Sequence, residues 1–165
     1  MARENWKDVF DYLEGHTVTW MRGGPEFFEE MAKVISGATK NVQLQVYLID
    51  PDETGNLVLN ALKSAAKKGV EVSLVVDDFG ADKLNDIHAE ELLKAGVFFK
   101  RFEPYVSTGK YYFGRRMHHK ILVVDEKIAI VGGMNIADRY RGTKTHPAWM
   151  DYAVKVTGPV CSELS

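Results

Sequence analysis

With a single cysteine, Cys161, the 165-residue chain can form no internal disulfide, and a thiol-tolerant cytosolic setting is the simplest expectation. An excess of charge of either sign is also lacking. Lys and Arg number 21 against 23 Asp and Glu, and a net charge of -2 argues against a generic nucleic-acid coat, whose phosphate contacts demand a basic excess. No run approaches the ~18 to 20 continuous apolar residues that cross a bilayer. The opening stretch, MARENWKDVFDYLEG, is charged and amphipathic and lacks the apolar core and small-residue cleavage site of a secretory signal. The expectation is a chain without a membrane span or export tag, for which peripheral contact with lipid stays open. What is present, 45% hydrophobic and 27% charged, is the composition of one ordinary globular domain over residues 1–165, able to bury roughly 70% of its unfolded surface.

Helical and strand periods alternate along the chain. Trp6, Val9, Phe10 and Leu13 recur at helical spacing, as do Phe27, Phe28, Met31 and Ile35 after Pro25. Between these helices HTVTWM reads as a short strand, and VQLQVYLID from Val42 to Asp50 alternates and then closes on an apolar run. A helix over 56–68 stops at Gly69, the strand VEVSLVVDD follows at once, and a second helix over 83–95 stops at Gly96 before VFFKRF. This succession predicts βαβ units with parallel strands. An irregular stretch from Glu103 to Met117 precedes three further strands, ILVVD, KIAIVGG and DYAVKVTG. The order predicts an α/β domain, with a central mixed β-sheet flanked by helices.

The small net charge hides a local imbalance. From Pro104 to Val124 there is no Asp or Glu, while Lys110, Arg115, Arg116 and Lys120 make an anion-attracting strip. Arg115 and Arg116 are candidate substrate contacts. Tyr111, Tyr112 and Phe113 beside them suit a lipid-contacting loop, a base-stacking platform or plain packing equally well. Asp77, Asp78, Asp82, Asp86, Glu90 and Glu91 cluster against a lone Lys83, and this run is expected to be a solvated loop and helix face. Trp149 is expected in the core.

The stretch that carries chemistry is Arg116-Met-His118-His-Lys120-Ile-Leu-Val-Val-Asp125, followed by Gly132-Gly133-Met-Asn135. On a strand, His118 and Lys120 share one face and His119 takes the other. An imidazole beside an ammonium suits phosphodiester chemistry: the cation holds non-bridging oxygens while the imidazole attacks phosphorus or passes a proton. Asn135 would add an amide donor to the same anion, and Gly132 and Gly133 would let backbone approach it. His118 and His119 with His146 as a metal site is disfavoured, because no second carboxylate or cysteine lies at ligand spacing.

His118, Lys120, Asp125, Gly132, Gly133 and Asn135 resemble the signature of the phospholipase D superfamily, HxKxxxxD followed after six intervening residues by G[GS]xN, with every spacing intact. The flanking stretches VYLIDPDETG, LKSAAKKGVEVSLVVDDFGA, LLKAGVFFKRFEP, RRMHHK, GGMNIADRY and WMDYAVKVTGP are more similar still to the N-terminal half of bacterial cardiolipin synthases. His119 and Met150 stand where those enzymes often carry arginine.

The resemblance implies a phospholipase D-like half-domain and a phosphatidyl transfer without metal or other cofactor. One histidine would form a phosphohistidine, and a second, from another motif copy, would protonate the leaving alcohol and activate the acceptor. The candidate catalytic set is His118, Lys120 and Asp125, with Asp125 assigned to bracing the motif strand rather than touching substrate. Lys120 and Asn135 would hold phosphate, and Asp151, in WMD, would orient the imidazole. Superfamily sites contain two motif copies and this sequence carries one, since His16, His88 and His146 are not followed by lysine two residues on. The implied partners are phosphatidylglycerol, the cytoplasmic face of the inner membrane, and a second motif half in the same chain or a homodimer. The alternative is a phosphodiesterase or endonuclease of the single-motif homodimeric type, and GPVCSELS is expected to open a helix.

Overall fold

Residues 14–102, 106–107, 110–111 and 116–165 are described by the computed structural model. The expected helix around Trp6, Val9, Phe10 and Leu13 lies outside them, as do Tyr112, Phe113 and Arg115. The β-branched run β1 (Thr17–Arg22) breaks at Gly23 and Gly24, where φ of 124° at Gly24 needs a residue without Cβ, and Pro25 opens α1 (Pro25–Ser36). After β2 (Asn41–Val46) comes α2 (Glu53–Lys67), which starts earlier than its apolar period suggests because the Asp52 carboxylate accepts from the Gly55 N–H at 2.9 Å. Asn85 does the same at 3.2 Å for the helix that follows β3 (Glu71–Asp77), namely α3 (Asp86–Lys94), before β4 (Val97–Phe102).

The stretch expected to be irregular contains two short paired strands, β5 (Val106–Ser107) and β6 (Lys110–Tyr111). The hairpin β7 (Lys120–Val124) and β8 (Ile128–Gly132), the single turn α4 (Asp138–Arg141), β9 (Tyr152–Thr157) and the short α5 (Val160–Glu163) complete the order. Seven strands form one mixed sheet in the order β1-β9-β8-β7-β2-β3-β4. The three strands of the two βαβ units, β2, β3 and β4, run parallel, and the remaining pairs are antiparallel.

Alternation along β2 sends Val42, Leu44 and Val46 to one face, where Val72, Leu74, Val76, Leu122 and Val124 join them. Phe27, Phe28, Met31 and Ile35 of α1 and Val58, Leu59 and Leu62 of α2 cover that face. On the opposite face α5 lays Cys161 over Val123 and Ala129. The register brings Val46, Val76 and Lys120 to one end of the sheet. Ligands of open α/β sheets gather at the carboxyl ends of parallel strands, and this is that end.

Asp125 sits at the other end of β7, about 17 Å from Lys120 at the usual rise of a strand. It turns the chain into β8 with φ of 53°, followed by 55° at Glu126, and aspartate tolerates this region better than most residues. Its carboxylate accepts the Thr39, Lys40 and Asn41 N–H groups at 2.7–3.1 Å and the Thr39 hydroxyl at 2.8 Å, locking the entry of β2 to the hairpin. Burial pushes its pKa up, but these donors to the charged form outweigh it, and the carboxyl lies below its ordinary range. A depressed folded pKa contributes stability above the unfolded value of about 3.9 and loses it as pH falls through the folded value. Asp125→Ala is expected to cost about 2 kcal/mol, a fall in Tm of roughly 4–8 °C by calorimetry near neutral pH. The deficit of Asp125→Asn is expected to shrink as pH drops below about 4; a deficit constant down to about pH 2 would remove the carboxylate from this role.

Candidate functional site

The site is assembled at the end of β2. His118 lies two residues before the start of β7, and its exposed imidazole rests against the Tyr47 ring, 5.2 Å between centroids. Lys120, the first residue of β7, lies opposite Val46 and donates from Nζ to the His118 carbonyl at 3.0 Å. That ammonium also stands 5.3 Å from the Tyr47 ring centroid. Burial draws the Lys120 pKa down, and the charge of Asp151 draws it partly back. His119 diverges, its Nδ1 3.2 Å from Gln45 Oε1, while its carbonyl accepts the Tyr47 N–H at 3.0 Å.

One residue further along the same bend, the Leu48 N–H donates to Asn135 Oδ1 at 3.2 Å, which fixes the amide's orientation. Asn135 is 7% exposed, and its Nδ2 donates to the Tyr140 hydroxyl at 2.9 Å, leaving a second amide hydrogen on the same nitrogen. The neighbouring chain is tied in by the Asp50 N–H to the Ile136 carbonyl and by the Ile136 N–H to the Leu48 carbonyl. Residues 47 and 48 therefore serve as a common mount for His118, Lys120 and Asn135.

The family model described as cardiolipin synthase, PLD-like domain, matches residues 31–151. The chain belongs to the phospholipase D-like family. Cardiolipin synthase B of Salmonella typhimurium is 33% identical over 156 residues, covering 93% of this chain and 38% of that protein. Cardiolipin synthase of Clostridium perfringens strain 13 is 39% identical over 165 residues, covering 95% and 33%. The chain thus spans little more than a third of the curated relatives it matches. Its fold is similar to that of Nuc from Salmonella typhimurium, a phospholipase D family member, with TM-score 0.65, 19% identity and coverage of 91% of this chain and 89% of that one.

Within this phospholipase D-like fold four expectations change. Gly132 and Gly133 do not open a cradle for an anion: a Cβ on Gly132 would lie 2.5 Å from Ala153 Cβ, and one on Gly133 would lie 2.5 Å from Asp151 Oδ1. The missing side chains make room for β9 and for the Asp151 carboxylate. Asp151 makes no hydrogen bond to His118 among the described residues; its Oδ1 takes the Tyr152 N–H at 2.7 Å, and its charge acts on Lys120. Trp149 is 58% exposed rather than in the core, and packs on the Tyr140 ring, with the Arg139 guanidinium 5.6 Å from its own. Asp77, read as part of a solvated acidic run, is fully buried.

Asp77 is one of the groups that sequence reasoning missed. Its Oδ2 accepts the Met117 N–H at 2.9 Å, directly before His118, and Oδ1 accepts the Phe79 and Gly80 N–H groups at 3.0 and 3.1 Å. Arg116 lies 3.6 Å from the same carboxylate and 5.5 Å from the Phe79 ring, so its guanidinium is engaged at the rim of the site. Asp125 is remote from all of these. Among the described residues no three His, Cys, Asp or Glu gather as metal ligands, and no helix is long and apolar enough to cross a membrane.

The glycine reading is open to test. Gly132→Ala is expected to cost about 2–3 kcal/mol in urea unfolding, because the added methyl meets β9 backbone as well as Ala153. An alanine variant as stable as the parent chain would return Gly132 to the role of an open approach.

Proposed function

We propose that this chain supplies one half of a phosphatidyltransferase site of the cardiolipin synthase type, moving a phosphatidyl group between phosphatidylglycerol molecules. The reading is carried by the convergence of His118, Lys120 and Asn135 on Tyr47 and Leu48. An exposed imidazole, a partly desolvated ammonium and a pre-aimed amide are what an in-line displacement at a phosphodiester requires. Kinship with cardiolipin synthases supports the lipid substrate over others.

In this proposal an imidazole nitrogen attacks phosphorus and a nitrogen–phosphorus bond replaces the ester bond to the leaving glycerol. The departing oxygen takes its proton from a second histidine, supplied by another motif half. That histidine then accepts the proton of the incoming lipid hydroxyl, which attacks phosphorus and frees the first imidazole. Lys120 and the second Asn135 hydrogen hold the non-bridging oxygens, with no metal or other cofactor in the scheme. The chemistry is symmetric between the two histidines, so His118 fills either role. Work on phosphatidylglycerol would be done at the membrane surface, on the inner membrane's cytoplasmic side.

The purified chain is expected to form little or no cardiolipin from phosphatidylglycerol vesicles, and His118→Ala in a protein joining this half to a second motif is expected to reduce lipid transfer to background. Robust transfer by the monomeric chain would overturn the half-site. Cleavage of single-stranded DNA with no action on phosphatidylglycerol would instead select the single-motif nuclease alternative.

A further inference from the structure

The Tyr47 ring borders both His118 and Lys120. Its ring centroid is 5.2 Å from that of His118, at an interplanar angle of 56°, and 5.3 Å from Lys120 Nζ. The second distance is within the range at which an ammonium is attracted to the electron-rich face of an aromatic ring. The ring is itself held by backbone. A Cβ on Gly80 would run into the Tyr47 carbonyl oxygen and come within 3.0 Å of Tyr47 Cζ, so the Gly80 backbone lies directly against the ring.

The clamp closes on itself. Gly80 is fixed by its N–H bond to Asp77, and the other oxygen of Asp77 fixes Met117, the residue before His118. From the strand side, the Tyr47 N–H bond to the His119 carbonyl extends the β2–β7 ladder one step past Val46 and Lys120. Tyr47 is thereby located through its backbone N–H, through the Gly80 backbone against its ring and through the contacts of its ring with His118 and Lys120.

We propose that Tyr47 is a positioning residue of the phosphate site, its ring face holding the His118 imidazole and the Lys120 ammonium side by side so that both meet one phosphate group. The proposal rests on the phosphate-site reading above and adds to it a residue outside the HxKxxxxD and GGxN signatures. A ring face does this without a competing hydrogen-bond acceptor. It stabilises positive charge on its neighbours while taking none of their hydrogen-bond donors, which a carboxylate in the same place would capture; one Lys120 donor is held by the His118 carbonyl, and the ring leaves the others to phosphate oxygens. Burial works against the charged form of Lys120, and the ring opposes that effect.

The test uses this chain and inorganic tungstate, a phosphate-like dianion, with binding read from the ring signals of His118 by NMR. The wild-type chain is expected to bind at His118, and Lys120→Ala to weaken binding strongly. Tyr47→Phe keeps the ring face and is expected to bind within about twofold of wild type, whereas Tyr47→Leu loses it and is expected to bind at least about fivefold more weakly. Tyr47→pentafluorophenylalanine retains the ring's shape and inverts the charge of its face, and is expected to match the leucine variant. It decides the matter if the leucine variant does not fold. Leucine and pentafluorophenylalanine variants that bind within about twofold of wild type would overturn the role of Tyr47 while leaving the phosphate site intact. Failure of the wild-type chain to bind tungstate at His118 would instead overturn the site reading itself.

Discussion

Asp77 imposes the constraint from which the geometry of this site follows. A carboxylate with no exposure to solvent is costly unless its lone pairs are occupied, and here three backbone N–H groups and the Arg116 guanidinium occupy them. Those donors come from two places far apart in sequence: the turn after β3 and the chain entering β7. Satisfying one buried charge therefore joins the parallel half of the sheet to the motif strand. The residue after Met117 is His118, so its backbone is set before any side chain of the site is considered.

The other polar arm is built in the same way. Asp50, only 5% exposed, pairs with Lys83 at 2.8 Å and with Arg139 at 3.0 Å. Arg139 in turn stacks against Tyr140 and Trp149, and Tyr140 presents its hydroxyl to Asn135. Each end of the set formed by His118, Lys120 and Asn135 thus hangs from a buried aspartate at or after the end of a parallel strand. Breaking such a pair from one side strands a charge in the interior, which makes these arms rigid even where single contacts are weak. Preorganisation of this kind is what electrostatic stabilisation of a phosphoryl group depends on, since little energy is then spent on reorientation during reaction.

Much of this was legible in the sequence, and the remainder was not for identifiable reasons. Period-two alternation revealed β2, short apolar runs revealed β3 and β7, and the HxKxxxxD and GGxN spacing pointed to the candidate site, because these patterns are local. Asp77 was misread since a run of acidic residues looks solvated unless the turn over it is known. Gly132 and Gly133 were read against an anion because a glycine in sequence does not say which atom needs the room; here it is Ala153 and Asp151. The start of α2 was missed because Asp52 lies within a proline- and acid-rich string that resembles loop, although an aspartate directly before a helix-compatible run was a usable signal. Tyr47 had only one sequence cue, an aromatic residue at the carboxyl end of a predicted parallel strand, where ligands collect.

Lys120 shows how these parts act together. An ammonium in water is well hydrated and gains little from meeting a phosphate, whereas one stripped of part of its shell gains more, because the effective dielectric around the pair is lower. Stripping alone would favour loss of the proton. Asp151, seated in the space left by Gly133, and the Tyr47 face both favour the charged form, the first by charge and the second by its quadrupole. The result is a cation whose charge its neighbours favour, one of which, the ring, takes none of its hydrogen bonds. Gly133, Asp151, Tyr47 and Gly80 are separated by many residues in the chain, yet all bear on one ammonium, which is both partly dry and flanked by groups that favour its charge.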